Sequence, residues 1–411
     1  MNIQQMVTVR QKFAAPVCEN VEKSVRTGFN KIGHRLQSGT RIAVACGSRG
    51  ITNISLIVKA TVAFLRDSGA DPFIVPAMGS HGGATAEGQQ TILADNGITQ
   101  DYVGAPVVSS MEVVDLGESR LGNRVFMDRA VYEADGIVLI NRIKPHTDFH
   151  GKYESGLVKM GVIGLGKHAA ALELHSCGVE GLRDHVPASF ELVAATGKII
   201  AGIGVVENAY DQTAIVEVIA GADIMKKEPG LLDYARLNMP SLPATDIDVL
   251  VVDRLGKEIS GTGLDPNIIG RVRIRGQEEP VSPRIKNIVV TDVTSASHGN
   301  ALGIGLADVI TQKLFDKIDF EVMRVNVRAS LFLERIKVPF IAATDAEAFT
   351  LALKACGRIA PGKERVVRIR DTLHCGEVQV SEAVLDDIRD KVEILRGPGD
   401  IFDERGELKK L

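Results

Sequence analysis

RIAVACGSRGITNISLIVKATVAFLRDSGADPFIVPAMGSHGG is the sequence of residues 41–83, and this stretch decides the fold. Its apolar run at 41–46 predicts a buried strand. The apolar side chains of 53–68 recur with helical spacing until Gly69, and a second apolar run follows at 73–78. A strand, a helix and a second strand in this order predict a parallel sheet whose loops gather at the carboxyl ends of the strands. Ligands bind at that edge, so the turns after both strands are candidate site residues.

The alternation continues and predicts an α/β protein of two domains, each with a mainly parallel or mixed sheet flanked by helices, with the active site in the interdomain cleft. The charged and proline-rich stretch 226–246 is typical of a connector. We therefore expect a first domain over 1–240, a second over 241–396, and a tail, 397–411, that could pack on the first domain. Strands of the second domain are predicted near 248–253, 286–292, 321–326, 338–343 and 364–370.

The composition of the chain limits the kinds of partner that it is expected to bind. The chain has 411 residues, 45% hydrophobic and 24% charged, with a net charge of -4 and scattered basic residues. This gives no footprint for nucleic acid or an anionic membrane and favours a small-molecule ligand. The N-terminus lacks the apolar core of a signal peptide, and no run reaches the roughly 18 apolar residues that span a bilayer. We expect a cytoplasmic protein. Its five cysteines form no CxxC pair, which favours free thiols.

Residues 141–176 concentrate reactive side chains: NRIKPHTDFHGKYESGLVKMGVIGLGKHAAALELHS. Four of the nine histidines lie here, together with Lys159. Histidine changes its charge near neutral pH and is the commonest metal ligand. This segment is therefore where the chemistry is expected.

Three strand ends should meet at one edge of one sheet. They present Arg49 after 41–46, His81 after 73–78 and His146 after the buried run 136–141. The glycine-rich turn 79–83 also suits an anion, because glycines let backbone N–H groups approach a ligand ahead of the next helix. On these residues alone the chain is an α/β enzyme with a histidine-lined anion site.

Two common motifs are not supported. Gly164-Leu165-Gly166 lacks the preceding strand and the three-glycine spacing of a dinucleotide fingerprint. His146 and His150 have the i, i+4 spacing of a zinc helix, but no glutamate follows His146 as the HExxH motif requires. A metal-dependent hydrolase or lyase that uses His146, His150 and His175 nevertheless stays open, as does a non-catalytic cofactor carrier.

The motifs in combination resemble the nickel-dependent lactate racemase family. In that family a Gly-Thr-His turn, a Pro-His pair, a Ser-Gly-Gly-x-Lys segment and a histidine sixteen residues after that lysine form the site. Here the corresponding residues are Gly79-Ser80-His81, Pro145-His146, Ser155 to Lys159, and His175, which lies sixteen residues after Lys159.

The resemblance implies a first domain that binds a nickel-pincer nucleotide, the nickel complex of pyridinium-3,5-bisthiocarboxylic acid mononucleotide, and a second domain that closes over the substrate. It makes Lys159 the covalent tether and His175 the nickel ligand. His81 and His146 become the acid/base pair of a 2-hydroxy acid racemase or epimerase, while Arg49 orients the substrate. The cofactor is further held by Ser80, Gly82, Gly83 and Ser155. Cofactor-synthesis proteins are the implied partners.

The sequence departs from the family pattern at three places. Cys46 stands where the family has an aspartate, and three extra residues separate the Pro-His pair from Lys159. Gly270 and Arg273 stand where the family has a substrate-binding glutamine and lysine. As substrate-binding residues, a glycine would leave space and an arginine would offer a bidentate fork. They predict a 2-hydroxy acid bulkier than lactate.

Overall fold

The computed structural model describes residues 5–33, 37–48 and 50–411. Its strands are β1 Gln5–Gln11, β2 Arg41–Cys46, β3 Asp71–Pro76, β4 Val113–Glu118, β5 Arg124–Asp128, β6 Gly136–Arg142, β7 Ile199–Glu207, β8 Thr213–Ala220, β9 Asp246–Val252, β10 Arg284–Val290, β11 Val309–Thr311, β12 Phe340–Ala342, β13 Val366–Ile369, β14 Glu377–Val380 and β15 Val392–Asp400. Its α-helices are α1 Val21–Ile32, α2 Ile54–Asp67, α3 Ala86–Asp95, α4 Gln100–Val103, α5 Arg129–Glu133, α6 Leu157–Lys159, α7 Lys167–Ser176, α8 Gly178–Glu180, α9 Val186–Ala195, α10 Ile224–Leu237, α11 Pro266–Ile269, α12 Gln312–Phe315, α13 Phe320–Ser330, α14 Asp345–Ala355 and α15 Glu382–Ile388.

The chain forms two compact units. One is Ala14–Met239, and the other combines Met1–Phe13 with Pro240–Leu411. The expected first domain began at residue 1, whereas β1 lies in the sheet of the second unit, between β14 and β15. Its partners lie more than 360 residues away along the chain, so no local pattern marks the pairing.

The unit Ala14–Met239 is built on a five-stranded sheet in the order β3-β2-β6-β7-β8. The first four strands are parallel and β8 is antiparallel to β7. Helices α1 and α2 cover one face, where the rings of Phe29 and Phe64 stack with centroids 4.6 Å apart. The predicted strand, helix and strand over 41–76 are present. The carboxyl ends of β3, β2 and β6 are therefore neighbours.

The second unit contains an eight-stranded mixed sheet in the order β12-β11-β10-β9-β13-β14-β1-β15. The five strands from β12 to β13 are parallel, and β14, β1 and β15 are antiparallel to their neighbours. The expected α/β class with mainly parallel or mixed sheets is confirmed. Residues 397–400 of the expected tail belong to β15, and the bridge between Phe402 and Leu408 closes a turn within the same unit.

Two segments have a secondary structure that differs from the one predicted for them. The strand predicted at 321–326 was wrong, because this stretch lies in α13. The Asp319 carboxylate caps that helix by accepting the N–H groups of Glu321 and Val322 at 2.9 and 3.0 Å. Met323 and Val327 are buried four residues apart, which is helical spacing, so the valines there do not mark a strand.

The charged stretch predicted as a connector is largely helical. It begins inside α10, whose buried side chains include Glu228, Leu231, Leu232 and Ala235. Pro229 lies inside this helix and has no N–H group for the carbonyl oxygen of Met225, which instead accepts the hydroxyl of Tyr153 at 2.7 Å. No helix in the part of the chain that the structure describes is long and apolar enough to cross a membrane.

Candidate functional site

The carboxyl ends of β2 and β3 are joined through a side-chain contact. Ser48, two residues after β2, hydrogen-bonds through Oγ to Nδ1 of His81, which lies in the turn after β3. Arg49, the expected substrate-orienting residue, lies outside the described residues. Cys46, at the end of β2, is fully buried, and burial raises the pKa of its thiol to about 12. It is therefore an uncharged packing residue and not a replacement for the family's aspartate.

The glycine turn after β3 has the backbone that its sequence requires. Gly79, Gly82 and Gly83 have φ values of 60°, 64° and 67°, in the left-handed region that glycine adopts without strain. Gln89 holds the turn, since its side-chain amide donates to the carbonyl oxygens of Gly79 at 2.8 Å and His81 at 3.3 Å.

Lys167 lies beneath this turn and is fully buried. Its Nζ contacts Asp128 at 3.0 Å, donates to the carbonyl of Pro76 at 2.5 Å, and lies 3.3 Å from Oε1 of Gln89. Burial lowers the pKa of this amine, against the opposing effect of Asp128. Lys167 is therefore a structural cation that supports the His81 turn, and it has no exposed surface through which a cofactor could reach it.

His146, in the loop after β6, is held on several sides. Its ring packs on Phe149 with centroids 4.6 Å apart, and its Nδ1 accepts the backbone N–H of Asp148 at 3.1 Å. Its own backbone N–H donates to Oε2 of Glu154 at 2.6 Å. Its Nε2 lies 2.6 Å from Nζ of Lys159. The structure thus brings two of the expected site residues into direct contact.

Glu154 organises this loop from below. Its side chain is fully buried, and Oε1 contacts the Gly151 N–H at 3.1 Å, Nδ1 of His150 at 3.4 Å and Nη2 of Arg236 at 2.6 Å. A buried carboxylate requires such partners, because an unpaired charge would be costly in the interior. His150 is therefore turned toward Glu154.

Lys159 ends α6, which continues into a π-helical turn, Met160–Gly164. The buried carboxylate of Glu228 accepts the N–H groups of Leu157 and Val158 at 2.8 and 2.9 Å and so fixes the start of this helix. A Cβ atom on Gly156 would lie 2.4 Å from Oε1 of Glu228, so only glycine fits there. Burial raises the pKa of Glu228 to about 7.

His175 lies in the last turn of α7. Burial is the main reason that its pKa is lowered to about 4; a positive charge on Lys159 would lower it further, and Asp148 acts in the opposite direction. These electrostatic effects place Lys159, Asp148 and His175 in one neighbourhood. An imidazole that is neutral at pH 7 has the lone pair that a metal ligand needs.

The two expected substrate residues, Gly270 and Arg273, lie in the second unit between α11 and β10. Gly270 and Arg273 line a cavity of about 700 Å³ beside the amino ends of β9 and β10. Arg273 donates to the carbonyl of Gly305 at 2.6 Å and to Asp308 at 2.9 Å. A Cβ on Gly270 would lie 2.2 Å from the carbonyl oxygen of Pro283. Gly270 is thus a close-packed turn residue with no room for a side chain, and the fork of Arg273 is engaged within the protein.

The rival metal cluster is not assembled. Within residues 5–33, 37–48 and 50–411, no group of three or more histidine, cysteine, aspartate or glutamate side chains could hold a metal ion. His146 faces Lys159 and His150 faces Glu154. The geometry gives no support to a hydrolase built on His146, His150 and His175.

The fold and these residues define an α/β protein with a histidine and lysine site at the carboxyl edge of a parallel sheet. Residues 4–182 match the family model of the lactate racemase N-terminal domain. This range includes His81, His146, Lys159 and His175. This part of the chain is therefore lactate-racemase-like in sequence. Comparison with curated proteins gave no match.

One solved structure has a similar fold. The lactate racemase apoprotein from Thermoanaerobacterium thermosaccharolyticum superposes with a TM-score of 0.54 at 11% sequence identity, covering 90% of this chain and 98% of that one. A protein from Thermotoga maritima gives a TM-score of 0.45 at 13% identity, covering 79% and 83%. At its low identity, the first likeness establishes a shared two-domain α/β fold.

Several residues around the site could not be identified from the sequence. They are the residues that hold the reactive side chains in place: Ser48, Gln89, Asp148, Glu154, Lys167, Glu228 and Arg236. One signal was present for Glu154, since it stands next to Ser155 in a segment already singled out for its histidines. Asp148 and Lys167 stand in the same segment, whereas Ser48, Gln89, Glu228 and Arg236 carry no local pattern that separates them from ordinary surface residues.

Proposed function

We propose that the protein racemises or epimerises a 2-hydroxy acid by reversible hydride transfer to a nickel-pincer nucleotide. The observation that carries the proposal is the contact between Lys159 and His146, 2.6 Å apart, within a lactate racemase N-terminal domain. A tether and an acid/base residue must both reach the reacting centre, and the contact between Lys159 and His146 supports these two assignments.

The residues fit the nucleotide. Lys159 is partly exposed and so can be reached, while His175 is neutral at pH 7 and suits nickel, which accepts imidazole nitrogen. The positive-φ turn with Ser80, Gly82 and Gly83 is the proposed cradle for its anionic parts, with Ser155 beside Lys159. When bound, the nickel-pincer group supplies an acceptor for the hydride of the substrate carbon.

The chain's own part is to move the hydroxyl proton. A racemase treats mirror-image substrates alike, which calls for one base on each side of the reacting carbon. We assign these roles to His81 and His146, which follow different strands of one sheet. Ser48 and Asp148 fix their Nδ1 atoms, so that Nε2 is the nitrogen that exchanges the proton in each ring. Arg49 is assigned to orient the substrate carboxylate.

The substrate class is kept at 2-hydroxy acids as a whole. The expectation of an acid bulkier than lactate depended on Gly270 and Arg273, whose packing and hydrogen bonds serve the protein itself. A panel of acids is therefore the appropriate assay.

The test is to produce the protein together with cofactor-synthesis proteins and to measure bound nickel, intact mass and racemisation of the panel. We expect nickel and a mass increase that is lost in Lys159→Ala and retained in the control Lys152→Ala, an exposed lysine seven residues earlier. An adduct that persists in Lys159→Ala would refute the tether. Nickel and adduct without turnover of any acid would support the carrier alternative instead.

A further inference from the structure

The two ring nitrogens of His146 have different partners, and the partners fix the position of its proton. Nδ1 lies 3.1 Å from the backbone nitrogen of Asp148, whose N–H can only donate. The Asp148 carboxylate lies 3.9 Å from the same nitrogen, beyond hydrogen-bond distance, so Nδ1 must present a lone pair to the N–H group. In the neutral ring the proton then resides on Nε2, which makes Nε2 a donor.

This donor points at an amine. Nζ of Lys159 lies 2.6 Å from Nε2 of His146. A lysine ammonium carries three donors and no acceptor, so it cannot receive this hydrogen bond, whereas an uncharged amine has the lone pair to do so. We propose that His146 holds Lys159 as an uncharged, nucleophilic amine at neutral pH.

The surroundings prevent the ring from turning to the opposite arrangement. A turned ring would lose the bond from Asp148, and the ring is packed against Phe149 with only 12% of the His146 side chain exposed. The backbone of His146 is fixed by its bond to buried Glu154. On the other side, Glu228 fixes the helix start that carries Lys159. Both partners of the contact therefore sit on anchored backbone.

The uncharged state of Lys159 does not depend on the proposed function. Only its purpose, the covalent attachment of the cofactor, rests on that function. An uncharged amine is the form that attacks a thiocarboxylate carbon: its nitrogen would form the C–N bond of a thioamide, while the C–O bond breaks and the oxygen leaves as water with one hydrogen of the amine and that of the thiocarboxylic acid. An amide or thioamide nitrogen is a poor acceptor, so attachment would free the Nε2 hydrogen of His146. His146 would thus prepare Lys159 for attachment, and to accept a proton from the substrate afterwards its ring would first have to give up the Nε2 hydrogen.

The test is competitive acetylation of the cofactor-free full-length protein with the N-hydroxysuccinimide ester of acetic acid at pH 7, read for each lysine by peptide mass spectrometry. Each reaction forms a C–N bond, releases N-hydroxysuccinimide and removes one proton from the amine. An ordinary lysine is almost wholly charged at this pH. We therefore expect Lys159 to react at least about tenfold faster than exposed Lys152, and buried Lys167 to stay unmodified. Equal rates for Lys159 and Lys152 would overturn the proposal.

A second measurement removes the dependence on accessibility. Long-range proton–nitrogen NMR of the histidine rings should show His146 as the Nε2–H tautomer at pH 7, and an Nδ1–H or doubly protonated ring would refute the proposal. In His146→Ala, the advantage of Lys159 over Lys152 should disappear. Because the protein lacks the cofactor in both experiments, a negative result would not touch the proposed racemase reaction. Conversely, absence of turnover in the loaded enzyme would leave the amine's state unaffected.

Discussion

The backbone N–H of His146 donates to the carboxylate of Glu154 at 2.6 Å, and that carboxylate is fully buried. The same group also receives Arg236, from a helix some 80 residues further along the chain. A buried ion pair contributes little net stability, because desolvation offsets most of the Coulombic attraction. Its bond to the backbone of His146, the proposed acid/base residue, indicates that it positions the loop.

Replacing Glu154 should therefore affect both stability and turnover. Glu154→Gln keeps the shape but leaves Arg236 without its buried anion, and we expect unfolding free energy to fall by about 1–3 kcal/mol. Turnover should fall by about tenfold or more through misplacement of His146. The matched control is Asp233→Asn, which removes the exposed partner of the same arginine and should change stability by less than about 0.5 kcal/mol. Urea unfolding and racemisation rates measure the two effects. Equal behaviour of the two variants would contradict the positioning role.

Two measurements, the racemisation rate and the bound nickel, should distinguish the roles of His81, His146 and His175. His81→Ala and His146→Ala should each reduce racemisation by on the order of 10²-fold or more while bound nickel is retained. His175→Ala should lose nickel. The control is His168→Ala, an exposed histidine on the same helix as His175, which should change neither quantity. Elemental analysis beside the rate assay decides this, and loss of nickel in folded His81→Ala would make that residue a ligand.

Glu228 should give a pH signature in stability. Its pKa is raised from an ordinary 4.5 to about 7, so the folded state binds this proton more tightly than the unfolded state. The resulting stabilisation is complete below pH 4.5 and is lost as the pH rises through about 7, at roughly 3 kcal/mol in all. Glu228→Gln mimics the protonated acid, so the unfolding free energy of wild type minus variant should fall across pH 4.5 to 8. A difference that is flat with pH, as expected for exposed Asp233→Asn on the same helix, would contradict the burial argument.

Arg273 should behave as a structural residue. Its fork is bound to Gly305 and Asp308, so Arg273→Ala should lower unfolding free energy by about 1 kcal/mol and leave KM within about twofold. Arg275→Ala, an exposed neighbour, should alter neither. If Arg273→Ala instead raises KM about tenfold at unchanged stability, Arg273 binds the substrate.

The features that the sequence predicted are those whose causes are local. The run 41–46, the helical spacing to Gly69 and the second apolar run give the first parallel strands directly, and histidines draw attention by their chemistry alone. The position of β1 could not be found in this way, because its partner strands lie more than 360 residues away.

The supporting residues were missed for a related reason. Glu228 and Arg236 lie in a stretch whose charge and prolines suggest a connector, and only the packing of α10 shows that Glu228 is buried. Lys167 likewise reads as an exposed lysine until Asp128, Gln89 and the end of β3 are brought around it. A carboxylate or an amine reveals its role through partners that the fold supplies, and these partners are distant in the chain.

The most direct test is racemisation of a panel of single-enantiomer 2-hydroxy acids by the nickel-loaded protein in heavy water, followed by chiral chromatography and mass spectrometry. The account predicts that at least one acid interconverts with its mirror image and that the product carries little deuterium on its α carbon, because the hydrogen returns as hydride. Interconversion with rapid deuterium labelling at that carbon would contradict it, since His81 and His146 would then remove the carbon-bound proton themselves.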